Sequence, residues 1–504
     1  MGEAPTPRGQ SDAEFLAHIV RKLGHDLLRY LPAVGVPAVA SALYVMIFTR
    51  VFDPVDFGRY SLVFATSTLL TVLLSGWITQ SVLRYQPRHA VAGELGGFRA
   101  ALGTLVVAAS AVTSAVFAVA YALARDDLGD YAGYYWPGAV LVVAGMNYLV
   151  LRTTLQAQLR SGLVSTYDVL FALGRLGAAL VFVFLVARSA VGLILGPAVA
   201  YAALVLAMVA RARPDGRRTG PARALARDFA RYGVPMVGWM IGVKILELSD
   251  RYIIEHFRGA AEVGIYSASY NLVAMGVWLV ASPMLMAAYP LVMNAWEAGA
   301  SDRISRVVSA FSRYYLLAAV PVVAFAGICA RDIVTLFVGE AFHEGARVVP
   351  VVLVGLLWWN FGFYGDQGLK LAERTGLLSL LVSVCVVANV GMNLYLVPRT
   401  GYMGAAWSTL AAATLYPVLV YAACRRSVRW EIPWGSLARI LFAGLAAGLT
   451  VRLAGSVLGG AAVAARLALL AVAFIAVYAL VLRATGELHA GERRWLRSLW
   501  KRTE

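Results

Sequence analysis

The chain has 504 residues, of which 60% are hydrophobic and only 14% charged. A soluble globular domain carries about 25% charged residues, so this composition cannot cover the polar surface that several soluble domains would need. The 44 Lys+Arg against 28 Asp+Glu give +16; in so apolar a chain that excess points to a membrane surface and away from nucleic acid. Cys329, Cys385 and Cys424 lie in or beside apolar stretches and read as buried thiols.

The first thirty residues mix Arg8, Arg21, Lys22 and Arg29 with Asp12, Glu14 and Asp26, which excludes a signal peptide. Phe15, Leu16, Ile19, Val20, Leu23 and Leu27 fit an amphipathic helix lying at the interface. A helix crosses a bilayer with about 20 apolar residues. Such runs recur near 31–50, 60–82, 98–122, 133–158, 163–187, 190–210, 232–254, 264–290, 310–330, 346–368, 377–397, 402–424, 434–456 and 461–483. The expected fold is therefore an all-α polytopic membrane protein of about 14 transmembrane helices. The expected organisation is a cytoplasmic N-terminal segment (1–30), a six-helix N-terminal lobe (31–210), a basic linker (211–231), a six-helix C-terminal lobe (232–424), two additional helices (425–483) and a basic tail (484–504).

An even number of spans places both ends on one side, and positive charge selects the cytoplasmic one. With the ends inside, 30 of the 44 cations fall in inner segments, nine in outer segments and five within spans: Arg152, Arg175, Lys244, Arg251 and Arg466. Both termini are thus expected in the cytoplasm, with the basic face against anionic lipid. No GxxxxGK[ST] loop is present to cradle a nucleotide, and no nucleophile–base constellation supports bond chemistry.

The chain repeats itself. Gly35-Val36-Pro37 opens the first span and Gly233-Val234-Pro235 the seventh; FGRYS (57–61) and VGIYS (263–267) follow those spans. The pattern implies two parallel, pseudo-symmetric lobes around a central cavity. Gly58 and Gly264 are expected to release the chain into tight turns, and Tyr60 and Tyr266 to sit at the membrane interface.

Charges inside spans mark candidate sites, because a buried ion needs a partner or water. Lys244, Glu247 and Arg251 share a face of the seventh span and Asp250 lies beside it; they form either a salt-bridge ladder or one wall of a hydrated cavity. Arg175, near the middle of the fifth span, offers a permanent planar fork that suits a pyrophosphate or sugar acid, or else a structural pair. Arg84 at the inner end of the second span is a phosphate candidate or a topological anchor; Arg152 and Arg466 lie nearer span ends, where they can snorkel. Trp359 and Asn360 offer a stacking face and a polar group, and Asn271 is a further cavity candidate, with Asn147, Asn389 and Asn393 as weaker ones. Glu247 and Asp366 are the candidates for ion coupling, although Asp366 is also placed to cap a helix end. His89, His256 and His343 have no metal-ligand spacing, and neither a metal nor a cofactor is expected.

Three segments carry a family resemblance: SDRYIIEHFRGAAEVGIYSASYNLV (249–273), NLYLVPRTGYMGAAWSTLAA (393–412) and VFDPVDFGRYSLVFA (51–65). Together they resemble the polysaccharide-transport family of bacterial flippases, the O-antigen and exopolysaccharide repeat-unit translocases of the multidrug/oligosaccharidyl-lipid/polysaccharide exporter superfamily. Asp250-Arg251, Gly264 and Gly404-Ala405 match the family pattern. The resemblance implies a V of two lobes around a basic, hydrated cavity. It also implies transfer of an undecaprenyl-diphosphate-linked oligosaccharide from the cytoplasmic to the periplasmic leaflet of the bacterial inner membrane, without bond chemistry. A proton or sodium gradient would drive turnover; a polysaccharide polymerase and export machinery would be partners. A lipid II flippase, a multidrug cation antiporter and a membrane glycan polymerase or ligase are the alternatives.

Overall fold

The computed structural model describes residues 34–211, 222–297, 301–372, 374–424, 430–458, 462–488 and 492. Every regular element among them is a helix. The interfacial helix expected before residue 31, the core of the linker (212–221) and most of the tail lie outside the described residues.

The long helices are α1 Val34–Val51, α2 Pro54–Val91, α3 Leu95–Ala124, α4 Ala132–Ala157, α5 Ser161–Val181, α6 Gly192–Arg211, α7 Ala222–Arg258, α8 Ala260–Glu297 and α9 Ser301–Ile328. After the short α10 (Ala330–Phe337) come α11 Val348–Gly365, the short α12 (Gln367–Leu371), α13 Thr375–Thr400, α14 Tyr402–Cys424, α15 Trp434–Val457 and α16 Val463–Ala484. Among the described residues thirteen helices are long and apolar enough to cross a membrane; α7, which carries Lys244, Glu247, Asp250 and Arg251, is not among them by composition but at 37 residues nearly matches the 38 of α8.

Local chemistry sets the boundaries. Asp53 caps α2, its carboxylate accepting the Asp56 amide at 2.8 Å, and Pro54 takes the first helical position. Gly259 joins α7 to α8 as a one-residue turn with φ +82°, and Gly401 joins α13 to α14 with φ +62°. Glu262 accepts the Tyr402 amide at 2.8 Å and so caps α14 from another helix. Gly58 and Gly264, expected in turns, instead lie inside the first turns of α2 and α8, where those helices cross. Tyr60 and Tyr266 are 7% and 0% exposed, because the crossing buries them.

Helices α1–α6 pack as one lobe, held by α2–α4, α4–α6 and α5–α6 contacts and by Tyr44 donating to the Leu193 carbonyl at 2.8 Å. Helices α7–α14 pack as a second, through α11–α14, α13–α14, α7–α13 and α8–α9. The lobes meet where α2 lies against α7 and α8. The early turns of α7 are socketed into the first lobe: Phe229, fully buried, joins Ile78, Val82, Phe98, Leu102 and Val150, and Ser81 donates to its carbonyl at 3.1 Å.

The pair α15–α16 is fixed to the second lobe by charge at both ends. Arg466 makes a forked pair with Asp332 of α10. At the basic face Arg313 of α9 bridges Glu487 and Glu492 at 2.6 Å each, and Arg439 of α15 reaches Glu487 at 3.0 Å. Removing one partner of a buried ion pair leaves the other charge uncompensated, at a cost of about 3–5 kcal/mol. Arg313→Ala is therefore expected to destabilise by that order, read as a lowered thermal midpoint in detergent, whereas removing a solvent-exposed surface arginine leaves the midpoint unchanged.

Candidate functional site

The polar groups of α7 fold into a cluster whose hub is Asp250. It is 2% exposed. A carboxylate that deep must collect donors, and three helices supply them. Tyr266 of α8 donates to Oδ2 at 2.7 Å, Thr409 of α14 donates to the same oxygen at 2.6 Å, and Asn393 of α13 donates to Oδ1 at 2.7 Å. Asn389, one turn from Asn393, accepts from it at 3.1 Å and from Ser249 at 3.0 Å. Nδ2 of Asn389 and Oδ1 of Asn393 are buried without a partner.

Arg251 is buried too and points the other way. Its Nε donates to Ser267 at 3.1 Å, one Nη to Asn271 Oδ1 at 3.3 Å, and the other to the Glu247 carbonyl. Its guanidinium lies 5.4 Å from the Tyr270 ring centre. Lys244 and Glu247 pair locally, i to i+3. The expected ladder is thus broken into two parts: a Lys244–Glu247 pair, and an Asp250–Arg251 couple whose other side-chain hydrogen bonds run to α8, α13 and α14.

A cavity of about 40 Å³ opens beside the cluster, inside the second lobe, lined among others by Glu247, Tyr270, Trp359, Asn389 and Thr409. It is large enough for water and has polar groups to hold it. Trp359 packs its ring 4.6 Å from Tyr416. Asn360 is buried next to it, donating to the Leu356 carbonyl at 2.8 Å, with its Oδ1 unpaired.

Asp366 does not line this cavity. It is fully buried, paired with Lys370 at 2.8 Å and accepting from Tyr416 at 2.8 Å. The lysine four residues on answers the unfavourable placement of an acid at a helix C-terminus. Arg152 and Arg466, expected to snorkel, are instead forked onto Asp168 and Asp332, since each carboxylate stands within reach across a helix pair.

Arg175 stands apart in the first lobe. It donates to Ser41 Oγ at 2.7 Å and lies 4.9 Å from the Tyr44 ring centre; its Nε is buried and unpaired. No carboxylate among the described residues pairs with it. Arg84 sits at the basic face, 4.2 Å above the ring centre of Tyr232 on α7, at the seam between the lobes. The structure therefore brings Lys244, Glu247, Asp250, Arg251 and Asn271 together, sets Trp359 with Glu247 in the cavity lining, and keeps Arg175, Arg84 and Asp366 elsewhere. Among the described residues no three His, Cys, Asp or Glu side chains group as metal ligands, and the three cysteines are free and buried.

Thr409 and Tyr266 carry no sequence signal for this site; Asn389 and Asn393, four apart on a helix, carry a weak one. Tyr266→Phe and Thr409→Val each remove one donor to Asp250, and each is expected to cost about 1–2 kcal/mol. Because both reach the same oxygen, a double-mutant cycle by thermal unfolding should show non-additivity; strict additivity would mean that the two bonds act separately.

Two helical lobes that meet where α2 lies against α7 and α8, with ionic groups inside the apolar spans of both, define an all-helical polytopic membrane fold. A model of the polysaccharide biosynthesis protein family matches residues 27–296, and the chain belongs to that family. It is 22% identical over 209 residues to a probable flippase, AglR, of Haloferax volcanii, covering 40% of this chain and 42% of that protein. It is 22% identical over 192 residues to an uncharacterized membrane protein of Methanocaldococcus jannaschii, 37% of each. The matched stretches thus span well under half the length of these curated relatives. In fold it is similar to the lipid II flippase MurJ in an inward closed conformation (TM-score 0.74, 10% identity, 89% of this chain and 96% of that one). It is also similar to an inward-facing multidrug resistance MATE transporter of the MOP superfamily (TM-score 0.61, 14% identity, 83% and 95%). Of these, three bear names that state a role: a probable flippase, a lipid II flippase and a multidrug resistance transporter.

Proposed function

We propose that the protein flips a polyprenyl-diphosphate-linked oligosaccharide from the cytoplasmic to the outer leaflet of a cell membrane, for the synthesis of a surface polysaccharide. The basic face is cytoplasmic in this reading and both termini lie there. A polar glycan cannot cross about 30 Å of hydrocarbon unaided. A pathway between two lobes lets the headgroup pass while the isoprenoid tail stays in lipid.

The observation that carries the reading is Arg175, a half-buried intramembrane cation that no described carboxylate neutralises. An unpaired guanidinium at that depth favours an anionic ligand, and a diphosphate supplies one. The same feature argues against a multidrug cation as cargo. Membership in a polysaccharide biosynthesis family supports the glycan. A lipid II-type substrate shares the diphosphate and is separated by competition between the two lipids. A polymerase and an export system would receive the product on the far side.

Energy coupling is assigned to the Asp250 cluster. Asp250, Thr409, Asn389 and Asn393 present carboxylate, hydroxyl and amide oxygens within hydrogen-bond reach of one another. Oxygen sets of this kind suit a hard cation, and a carboxylate also takes a proton. Glu247, on the neighbouring cavity wall, is the residue through which a proton or sodium ion would arrive.

Proteoliposomes loaded with the lipid-linked oligosaccharide should expose it in the second leaflet only when the protein is present. Arg175→Ala is expected to slow this by about 10–100-fold; unchanged flipping would remove Arg175 from headgroup binding. Asp250→Asn should leave downhill flipping measurable but abolish its response to an imposed sodium or proton gradient. A gradient response that survives this substitution would place coupling elsewhere.

A further inference from the structure

Gly58 is the fifth residue of α2, counted from Pro54, and Gly264 the fifth of α8, counted from Ala260. Each faces the first residue of the other helix. A Cβ built on Gly58 would overlap the Ala260 carbonyl, and one built on Gly264 would overlap the Pro54 carbonyl. A Cβ at Gly58 would also stand 3.0 Å from the Gly264 amide nitrogen, and one at Gly264 3.1 Å from that of Gly58. The contact is therefore reciprocal and made by backbone on both sides. Most close approaches between helices rest on small residues; here even a methyl group has no room on either strand of the crossing.

The crossing lies at the less basic face, between the two lobes, with Asp53, Asp56, Arg59, Glu255 and Glu262 near it in the chain. Phe57 meets Phe342 of the second lobe edge-on at 5.6 Å, and Tyr131 of the first lobe donates to Glu255 of α7. Directly beneath the crossing Ser61 and Ser267, at matched positions in the two repeats, are 4% and 0% exposed. We propose that Gly58 and Gly264 form a two-fold backbone seal that closes the outer side of the pathway, and that the absence of a side chain at these two positions sets how far the closed state is favoured. Packed surfaces of this kind are bistable and do not deform gradually. An added methyl group cannot be absorbed by a rotamer change; it forces the lobes apart at this end.

The proposal takes its orientation from the functional reading above, but its tests read shape and not transport. Spin labels at Asp127→Cys and Glu340→Cys, both exposed and on opposite lobes at this face, report their separation; the native cysteines are buried. Gly58→Ala and Gly264→Ala should each move the distance distribution to longer values, the closed-to-open ratio falling by roughly tenfold. Gly276→Ala, in the same helix but with open space around it, should leave the distribution as in the parent. Identical distributions in all three variants would overturn the seal. Should the alanine variants at the crossing fail to fold, Ser61→Cys in the otherwise unaltered chain gives an independent reading. A membrane-impermeant maleimide is expected to label it at least about tenfold more slowly than Asp127→Cys, and equal rates would overturn the proposal.

Discussion

A carboxylate and a guanidinium placed side by side in α7 must both be satisfied away from bulk water, and the second lobe is built around that requirement. Asp250 and Arg251 are sequence neighbours, so they cannot present the same face to the same partner. Asp250 takes its donors from α8, α13 and α14. Arg251 turns to Ser267 and Asn271 of α8 and back onto its own helix. Hydrophobic packing does little to select one helix neighbour over another in lipid, where the surroundings are equally apolar. Directional bonds to two buried ions do select, and they fix which helices surround α7.

The first lobe handles charge differently. Its half-buried acid, Asp168, is engaged by the fork of Arg152 and the hydroxyl of Tyr148. That leaves Arg175 with a serine and an aromatic ring. Two lobes with the same fold and repeat thus differ in electrostatic character: the second holds a donor-saturated carboxylate, the first an unneutralised cation. The proposed function draws on this division, with the coupling cation handled in one lobe and the anionic headgroup in the other.

Span positions were readable from sequence because bilayer thickness dictates them, and the boundaries of α13, α14 and α15 fall within three residues of the hydropathy pattern. The charged face of α7 was readable for the same reason that it is costly. Its partners were not: Asn393 and Thr409 lie 143 and 159 residues away from Asp250, and a threonine in an apolar helix looks the same whether it bonds its own backbone, as Thr414 does, or a distant carboxylate. The FGRYS and VGIYS repeats were visible, but glycine supports both turns and close helix approach, and only the three-dimensional crossing decides between them. Likewise, Arg152 and Arg466 near span ends gave no hint of the acids that meet them, because those acids come from other helices.

Helix α7 is counted with the second lobe, yet it is held by both. Its polar cluster ties its later half to α8, α13 and α14. Its early turns are committed to the first lobe through buried Phe229, through Tyr85 stacked on that ring at 5.7 Å, and through Gly233 pressed against the Trp77 backbone. A rod clamped at both ends would have to flex for the two lobes to part. Between the clamps lies Pro235, which lacks the amide hydrogen that would stiffen that turn. The seam between the lobes is therefore not a free hinge. It is bridged by a continuous helix, so parting the lobes in the proposed cycle would bend α7 and closing them would release that bend.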